Sequence, residues 1–188
     1  MNLPDGIPEL VTPRLALRAS APADALAMLA IFSDPEVMRY WSTPPWTGVA
    51  DAEAFLHRAR AQWEAGAAIR WALDERIGDR AVGTVTLFAL QAAGERAEVG
   101  YALRRASWGR GYMREALTAV LDWAFGTLGL RRVEADVDPR NAASARTLER
   151  LGFRREGLLR ERWEVAGEVA DSLILGLLRR EWRGARGR

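Results

Sequence analysis

Apolar residues recur along this chain with two different periods. Between Val99 and Leu103 they occupy every second position, which predicts a β-strand. After Gly111 they follow the spacing of one helical face, made of Met113, Ala116, Leu117, Val120, Leu121 and Ala124. Over the whole chain, the two periods predict alternating strands and helices, with no linker long enough to divide them into separate domains.

The predicted strands cover residues 14–18, 68–73, 82–90, 95–103 and 132–136, and a hairpin of residues 153–165 and 169–178 follows, turning at Gly167. The predicted helices cover residues 22–32, 51–64, 111–125 and 142–151, and a loop rich in Pro and Trp covers residues 34–48. The sequence therefore predicts one mixed α/β domain over residues 1–188, built around a single sheet and ending in a basic tail at residues 179–188.

The composition limits the kinds of chemistry that the chain can carry. Its 27 cationic side chains are all arginine and are balanced by 25 carboxylates, so the net charge of +2 does not indicate a nucleic-acid partner. The chain has no cysteine, which excludes disulfides, thiolate nucleophiles and zinc–thiolate sites. The single histidine, His57, lies on a predicted helix and is expected to face solvent, so no metal site is predicted.

The distribution of apolar residues predicts a soluble cytoplasmic protein. The first eighteen residues are interrupted by prolines and acids and do not resemble a signal peptide. The longest apolar stretch, residues 81–90, is too short to span a bilayer and contains Gly83 and two threonines. No membrane partner is therefore expected.

The turn at residues 108–113 joins a strand to the central helix and contains Gly109 and Gly111. Glycines let the backbone approach a ligand closely, and a helix N-terminus offers unpaired N–H donors and a partial positive charge. This combination favours a site for a pyrophosphate. Taken alone, the pattern also fits an ordinary tight connection between a strand and a helix.

A second group of polar residues follows the strand at residues 132–136. Pro139 ends that strand, Asn141 stands where the next helix would be capped, and Ser144 falls in the first turn of that helix. Gly152 stands at the other end of the helix, where a left-handed cap favours glycine. Helix capping alone explains these residues.

The chain as a whole resembles the GNAT superfamily of acetyl-CoA-dependent N-acetyltransferases, and within it the RimJ/RimL type that acetylates ribosomal-protein N-termini. The blocks that carry the resemblance are residues 12–15, 98–101, 108–113, 141–144, 151–153 and 178–182. The resemblance implies the GNAT fold, an α/β (α+β) architecture with a mixed, strongly twisted sheet of about six or seven strands and about four helices. In that fold the sheet splits between the strands at 99–103 and 132–136.

The resemblance also implies the acetyl donor and its contacts. Acetyl-CoA would lie in the split, where the Leu103 backbone contacts the pantetheine arm or the acetyl carbonyl. The family's pyrophosphate motif, Gln/Arg-x-x-Gly-x-Gly/Ala, maps onto Trp108, Gly111 and Met113, and two of these three positions depart from it. The residues implied as donor-binding are Leu103, Trp108, Gly109, Arg110, Gly111, Tyr112, Met113, Arg114 and Asn141. Both arginines of this set fit phosphate contacts and also fit a solvated surface.

Attack of an amine on a thioester needs a base, a stabilised oxyanion and a leaving thiol. Glu98 opens the strand that would carry the thioester and is the predicted general base, although it also fits an ordinary strand-end glutamate. Asp136, on the facing strand, is the second candidate. Many relatives carry a tyrosine acid on the helix after the Asn motif, where this chain has Leu148, so the resemblance implies that Ser144 protonates the sulfur.

The acceptor is the part of the reaction on which the sequence says least. By resemblance, Trp41 and Trp46 help to wall the acceptor site, whereas the residues alone fit a hydrophobic plug. Three functions stay open: N-acetylation of a protein N-terminus, such as that of a ribosomal protein; N-acetylation of a polyamine, aminoglycoside or amino-acid derivative; and non-catalytic binding of a nucleotide or RNA. The number of tryptophans also permits a homodimer without requiring one.

Overall fold

The computed structural model describes residues 4–91, 93 and 95–184. The strands within these residues are β1 (Leu10–Val11), β2 (Leu15–Ala19), β3 (Ala68–Glu75), β4 (Gly83–Gln91), β5 (Arg96–Leu103), β6 (Arg132–Val137), β7 (Arg154–Val165) and β8 (Glu168–Leu178). The α-helices within them are α1 (Ala25–Phe32), α2 (Pro35–Met38), α3 (Val49–Glu64), α4 (Tyr112–Gly126) and α5 (Ala142–Leu151).

The strands form one eight-stranded sheet in the order β1–β2–β3–β4–β5–β6–β8–β7. Neighbouring strands are antiparallel except β5 and β6, which are parallel. The parallel pairing covers only three residue pairs, from Arg96–Arg132 to Glu98–Glu134, and residues 99–103 and 135–137 then diverge. The prediction of a mixed sheet that splits between these two strands is confirmed.

The described residues hold one more strand and one more helix than the sequence predicts. The additional strand, β1, is only two residues long, too short to show an alternating pattern. The additional helix, α2, is a single turn inside the predicted loop, with Pro35 at its start and an Asp34 carboxylate that accepts a hydrogen bond from the Glu36 N–H. One capped turn is too short to show a helical period.

The two faces of the sheet pack into two separate apolar clusters. Trp71 of β3 packs with α4 and α5 on one face, and Ala72 packs with α1 and α3 on the other. The apolar face predicted for α4 is buried at Ala116, Leu117, Val120, Leu121 and Ala124. Because successive strand residues point to opposite faces, Val99 and Tyr101 of β5 lie on the α4 and α5 side, whereas Ala102 lies on the other.

Strands β7 and β8 form a hairpin at the edge of the sheet. Val165 pairs with Glu168, so the connection consists of Ala166 and Gly167, whose φ angles are +51° and +82°. Positive φ at both positions suits a two-residue hairpin turn, because its twist matches that of the strands. The predicted turn at Gly167 is confirmed, and β7 is exposed along nearly its whole length.

After β8 the chain continues through a 3₁₀ turn at Arg179–Glu181. The Trp182 indole N–H then donates to Asp122 Oδ1 at 2.8 Å, which fastens this segment to α4. The last part of the predicted basic tail, residues 185–188, lies outside the described residues. None of the helices in the described ranges is long and apolar enough to cross a membrane.

Candidate active site

The open edge of β5 lies in the split of the sheet. The Arg104 N–H donates to the Val82 carbonyl at 2.8 Å, so the even-numbered residues of β5 direct their main-chain groups towards β4. Val99, Tyr101 and Leu103 therefore direct theirs to the side on which β6 has diverged. An extended ligand could pair with this row of main-chain donors and acceptors.

The turn at residues 108–113 presents main-chain N–H groups at the start of α4. Gly109 and Gly111 have φ angles of 72° and 77°, a left-handed backbone conformation that residues with a Cβ rarely adopt. Gly111 is the N-cap of α4 and offers no capping side chain. Across the described part of the chain, no protein acceptor receives a hydrogen bond from the N–H groups of residues 109–113. These free donors fit the oxygens of a diphosphate.

Trp108 connects this turn to the end of β5. Its indole N–H donates to the Leu103 carbonyl at 2.7 Å, while 46% of the residue stays exposed. This hydrogen bond occupies the carbonyl of Leu103, the residue that is predicted to contact the pantetheine arm. Leu103 keeps its N–H directed into the split, and Trp108 fixes the distance between the turn and the strand edge.

Arginine side chains surround the turn without all facing it. The Arg14 and Arg110 guanidinium groups both lie over the Tyr112 ring, 4.8 Å and 4.6 Å from its centre. Arg110 also forms an ion pair with Glu75 at 2.9 Å. Arg114 lines a groove between residues 11–14 and α4 that also reaches Gly111 of the turn. The structure therefore brings Arg110, rather than Arg114, into the ion pairs around the turn.

The Met113 side chain, which departs from the family motif, packs against the apolar core. Its backbone N–H remains part of the first turn of α4. A side chain directed into the core adds no bulk on the side of the free main-chain donors. The departure at this position is therefore compatible with a phosphate site.

A cavity of about 660 Å³ opens where β5 and β6 diverge. It brings together five residues singled out from the sequence, which are Trp41, Glu98, Asp136, Asn141 and Ser144. Trp46 is not part of its lining. The Trp46 ring instead stacks on Phe32 at 4.5 Å and packs against Phe55 at 5.1 Å, which fills the space between α1 and α3.

Carboxylates from β5 and β6 meet at one face of the split. Burial raises the pKa of Glu98, and the negative charges of Glu134 and Asp136 raise it further. Glu134 forms an ion pair with Arg132 at 2.6 Å. Within the described residues, the Glu98 carboxylate has no hydrogen bond or ion pair of its own. It is therefore the carboxylate of this group that is free to take a proton.

Asp136 is held in place by a short hydrogen-bonded chain. The Ser172 hydroxyl donates to Asp136 Oδ1, and the Trp163 indole N–H donates to the Ser172 oxygen at 3.1 Å. Trp163 lies on the hairpin that covers one side of the cavity. Ser172 could not be recognised from the sequence, because a serine in a strand of alternating pattern gives no signal of a partner on another strand.

The first turn of α5 carries the remaining polar groups. Asn141 caps the helix, since its Oδ1 accepts a hydrogen bond from the Ser144 N–H at 3.1 Å. The Ser144 hydroxyl lies 2.8 Å from the Tyr101 hydroxyl, which comes from β5. Tyr101 is a functional candidate that the sequence analysis missed, because its place in the strand alternation identified it only as a core residue. A buried tyrosine hydroxyl usually has a polar partner, and that rule was the available signal.

A family model described as an acetyltransferase (GNAT) domain matches residues 14–154. The chain belongs to the GNAT acetyltransferase family. It is therefore an acyltransferase, and the family predicted from the sequence blocks is confirmed. The eight-stranded α/β sheet with its split is the GNAT fold.

Similar proteins and a similar solved structure agree with this GNAT assignment. The Bacillus licheniformis protein named uncharacterized N-acetyltransferase p20 is 35% identical over 175 residues, which cover 93% of this chain and 98% of that protein. The Escherichia coli ribosomal protein uS5-alanine N-acetyltransferase is 32% identical over 88 residues, 47% of this chain and 45% of that protein. The structure of Mycobacterium smegmatis RimJ in complex with CoA-disulfide matches with a TM-score of 0.79 and 28% identity, over 93% of this chain and 88% of that one.

Proposed function

We propose that this GNAT enzyme transfers the acetyl group of acetyl-CoA to a primary amine, and that the amine is the N-terminal α-amine of a protein. The observation that carries the proposal is the open edge of β5, which runs from the turn at residues 108–113 to the carboxylates of the cavity. A single extended ligand along this edge would reach both. The RimJ structure with CoA-disulfide supports a CoA-based donor.

The donor would be held mainly by main-chain groups. The N–H groups of residues 109–113 fit its diphosphate, and the edge of β5 at Val99, Tyr101 and Leu103 fits the amides of its pantetheine arm. The Asn141 oxygen is engaged in capping α5, so its NH₂ group remains available to the arm. Bound acetyl-CoA supplies an acetyl group activated as a thioester.

Glu98 is the proposed general base. An aliphatic amine is mostly protonated at neutral pH, so a carboxylate that accepts its proton, directly or through a water, raises the fraction that can attack. The raised pKa of Glu98 makes it a better proton acceptor than an ordinary carboxylate. Asp136, held by Ser172, contributes negative charge beside it.

Ser144 is the proposed acid. Glu98 and Tyr101 lie on opposite faces of β5, and Ser144 approaches from the Tyr101 side, so a thioester in the split would have the base on one face and the acid on the other. The open N–H groups of β5 would stabilise the oxyanion. Because the reference pKa of a thiol is about 8.5, the thiolate leaves readily and the contribution of Ser144 is modest.

The acceptor enters from the cavity lined by Trp41 and Trp163. The relative from Escherichia coli that is named for the alanine of ribosomal protein uS5 supports a protein N-terminus. A small amine is the second candidate, because carboxylates outnumber arginines in the lining of the cavity. There are five carboxylates, namely Glu98, Asp136, Asp138, Glu168 and Asp171, against Arg39, Arg140 and Arg162. A cytoplasmic location, self-association and a single domain over residues 1–188 stay predictions from the sequence.

Release of free thiol from acetyl-CoA, measured with a panel of peptides and small amines, tests the proposal. Mass spectrometry of the products locates the acetyl group, and peptides blocked at the N-terminus serve as matched controls. We expect acetylation of unblocked peptides at the α-amine. Acetylation of polyamines alone would favour the second candidate, and absence of both CoA binding in calorimetry and thiol release would overturn the proposed reaction.

A further inference from the structure

The Tyr101 side chain bridges the two walls of the split. It leaves β5 in the region where β6 has diverged, and its hydroxyl reaches the first turn of α5. There it lies 2.8 Å from Ser144 Oγ and 3.4 Å from the Ser144 carbonyl oxygen. Both residues line the cavity. The contact therefore joins the strand that would carry the thioester to the residue proposed as the acid.

The distance between the two oxygens allows either hydroxyl to donate, and the chemistry of the two groups favours the phenol as the donor. Burial raises the pKa of Tyr101 to about 12, so the phenol keeps its proton at neutral pH. A phenol is also more acidic than an aliphatic alcohol, which favours it as the donor. A serine oxygen can accept one hydrogen bond and donate another, so accepting from Tyr101 leaves the Ser144 proton free for a third atom.

Hydroxyls elsewhere on the helices of this chain behave differently. Thr118 of α4 donates to the Arg114 carbonyl at 2.8 Å, and Thr147 of α5 donates to the Ala143 carbonyl at 2.9 Å. Each of these side chains bonds to the carbonyl four residues earlier on its own helix. Ser144 lies in the first turn of α5, where the residue four positions earlier, Arg140, precedes the helix, and its hydroxyl meets Tyr101.

We propose that Tyr101 is a positioning residue, whose hydroxyl donates to Ser144 Oγ and thereby turns the Ser144 proton towards the leaving sulfur. This inference rests on the proposed acetyl transfer. In that reaction the neutral amine attacks the thioester carbon: the C–N bond forms, the C–S bond breaks, Glu98 takes the proton that the nitrogen then loses, and the sulfur takes the Ser144 proton. The proton on Glu98 returns to Ser144 through solvent water, which restores both groups.

A double-mutant cycle tests this role. We expect Tyr101→Phe, which keeps the ring and removes the hydroxyl, to lower kcat about 3- to 10-fold, the effect of losing one hydrogen bond, with the KM for acetyl-CoA unchanged. Ser144→Ala should lower kcat by at least as much. The kcat of the double variant should be within about twofold of the kcat of Ser144→Ala, because Tyr101 acts only through the Ser144 hydroxyl.

Controls separate positioning from a structural role and from the reaction itself. Thr147→Ala removes a hydroxyl from the same helix and should leave kcat unchanged. Rates are expressed per CoA-binding site counted by calorimetry, and 3-fluorotyrosine at position 101, which keeps the hydroxyl, should retain the wild-type rate. Multiplicative losses in the double variant, a wild-type rate for Tyr101→Phe, or a fluorotyrosine enzyme as slow as Tyr101→Phe would each overturn the inference. A wild-type enzyme that transfers no acetyl group would instead overturn the proposed function.

Discussion

The turn at residues 108–113 and the cavity beside β6 are constructed in opposite ways. The turn is contiguous in sequence, and its candidate ligands are main-chain N–H groups set by the left-handed conformations of Gly109 and Gly111. The cavity is assembled from residues of the α2 region, β5, β6, α5 and the β7–β8 hairpin, and its chemistry belongs to side chains. A site of the first kind recognises a constant group such as a diphosphate, whereas a site of the second kind can change its substrate by a few substitutions.

The first and largest effect is expected at the cavity. Glu98→Gln removes the proposed base, and we expect kcat to fall about 100-fold or more, as for other general bases, while the KM for acetyl-CoA stays near its wild-type value. Steady-state kinetics with varied acetyl-CoA measure both quantities. Glu53→Gln, an exposed glutamate on α3, is the matched control. Equal activity in the Glu98 and Glu53 variants would remove Glu98 from the mechanism.

The next effect separates the turn from the cavity. Gly111→Val places a β-branched residue at a φ of 77° at the start of α4, which strains the turn that presents the N–H donors. We expect calorimetry to show CoA affinity weakened about 10-fold or more, given a strain of 1–2 kcal/mol, with kcat at saturating donor largely retained. Gly126→Ala, at the other end of α4 where an added Cβ meets no atom within 4 Å, is the control. A Gly111→Val enzyme of normal affinity and low kcat would contradict the division of roles.

A smaller effect is expected where the turn meets the strand edge. Trp108→Phe keeps an aromatic ring but removes the indole N–H that bonds to the Leu103 carbonyl. The loss of one hydrogen bond of about 1 kcal/mol predicts a CoA dissociation constant raised about fivefold. Calorimetry of this variant beside the wild type measures the change. An unchanged dissociation constant would mean that the turn holds its position without this bond.

The smallest effect is a displacement of the pH profile. Because the pKa of Glu98 is raised, activity should fall as pH drops through a value above that of an ordinary glutamate. Asp136→Asn removes one negative charge that raises this pKa, so the acidic limb of kcat/KM should move to lower pH. Rates across the pH range with one peptide acceptor measure the limb. A limb that moves to higher pH, or that persists in Glu98→Gln, would assign it to another group.

The Glu98→Gln variant also tests how Glu98 affects the stability of the fold. A carboxyl whose pKa is raised in the folded state makes folding less favourable once it is ionised, and this penalty disappears as pH falls through the folded-state pKa. Glu98→Gln should therefore melt at a slightly higher temperature than the wild type at neutral pH and at the same temperature in acid. The comparison would show that Glu98 is kept at a cost to the fold.

The sequence predicts the parts of this molecule that depend on local pattern. The helical period after Gly111 identified the buried face of α4, and the alternation at Val99 and Leu103 identified β5. It also predicts the glycine turn and the Asn141 cap, since each depends on backbone conformation within a few residues. Contacts between distant segments leave no such trace.

For that reason, contacts between residues of different elements could not be predicted from the sequence. Nothing in the spacing of Tyr101 and Ser144 indicates that their hydroxyls meet, and nothing around Asp136 indicates the bond from Ser172. Trp41 and Trp46 look alike in sequence and both pack against Phe32, at 5.2 Å and 4.5 Å, yet Trp41 lines the cavity and Trp46 does not. The packing between α1 and α3, which decides between them, is a property of the assembled fold.

The short parallel pairing of β5 with β6 leaves a weak connection in the middle of the sheet. Strands β1–β5 on one side and β6, β8 and β7 on the other are joined within the sheet at only three residue pairs. A pantetheine arm lying along β5 would add contacts across that connection, and the departure of free CoA would remove them. Each turnover would then tighten and loosen the connection between the two parts of the sheet.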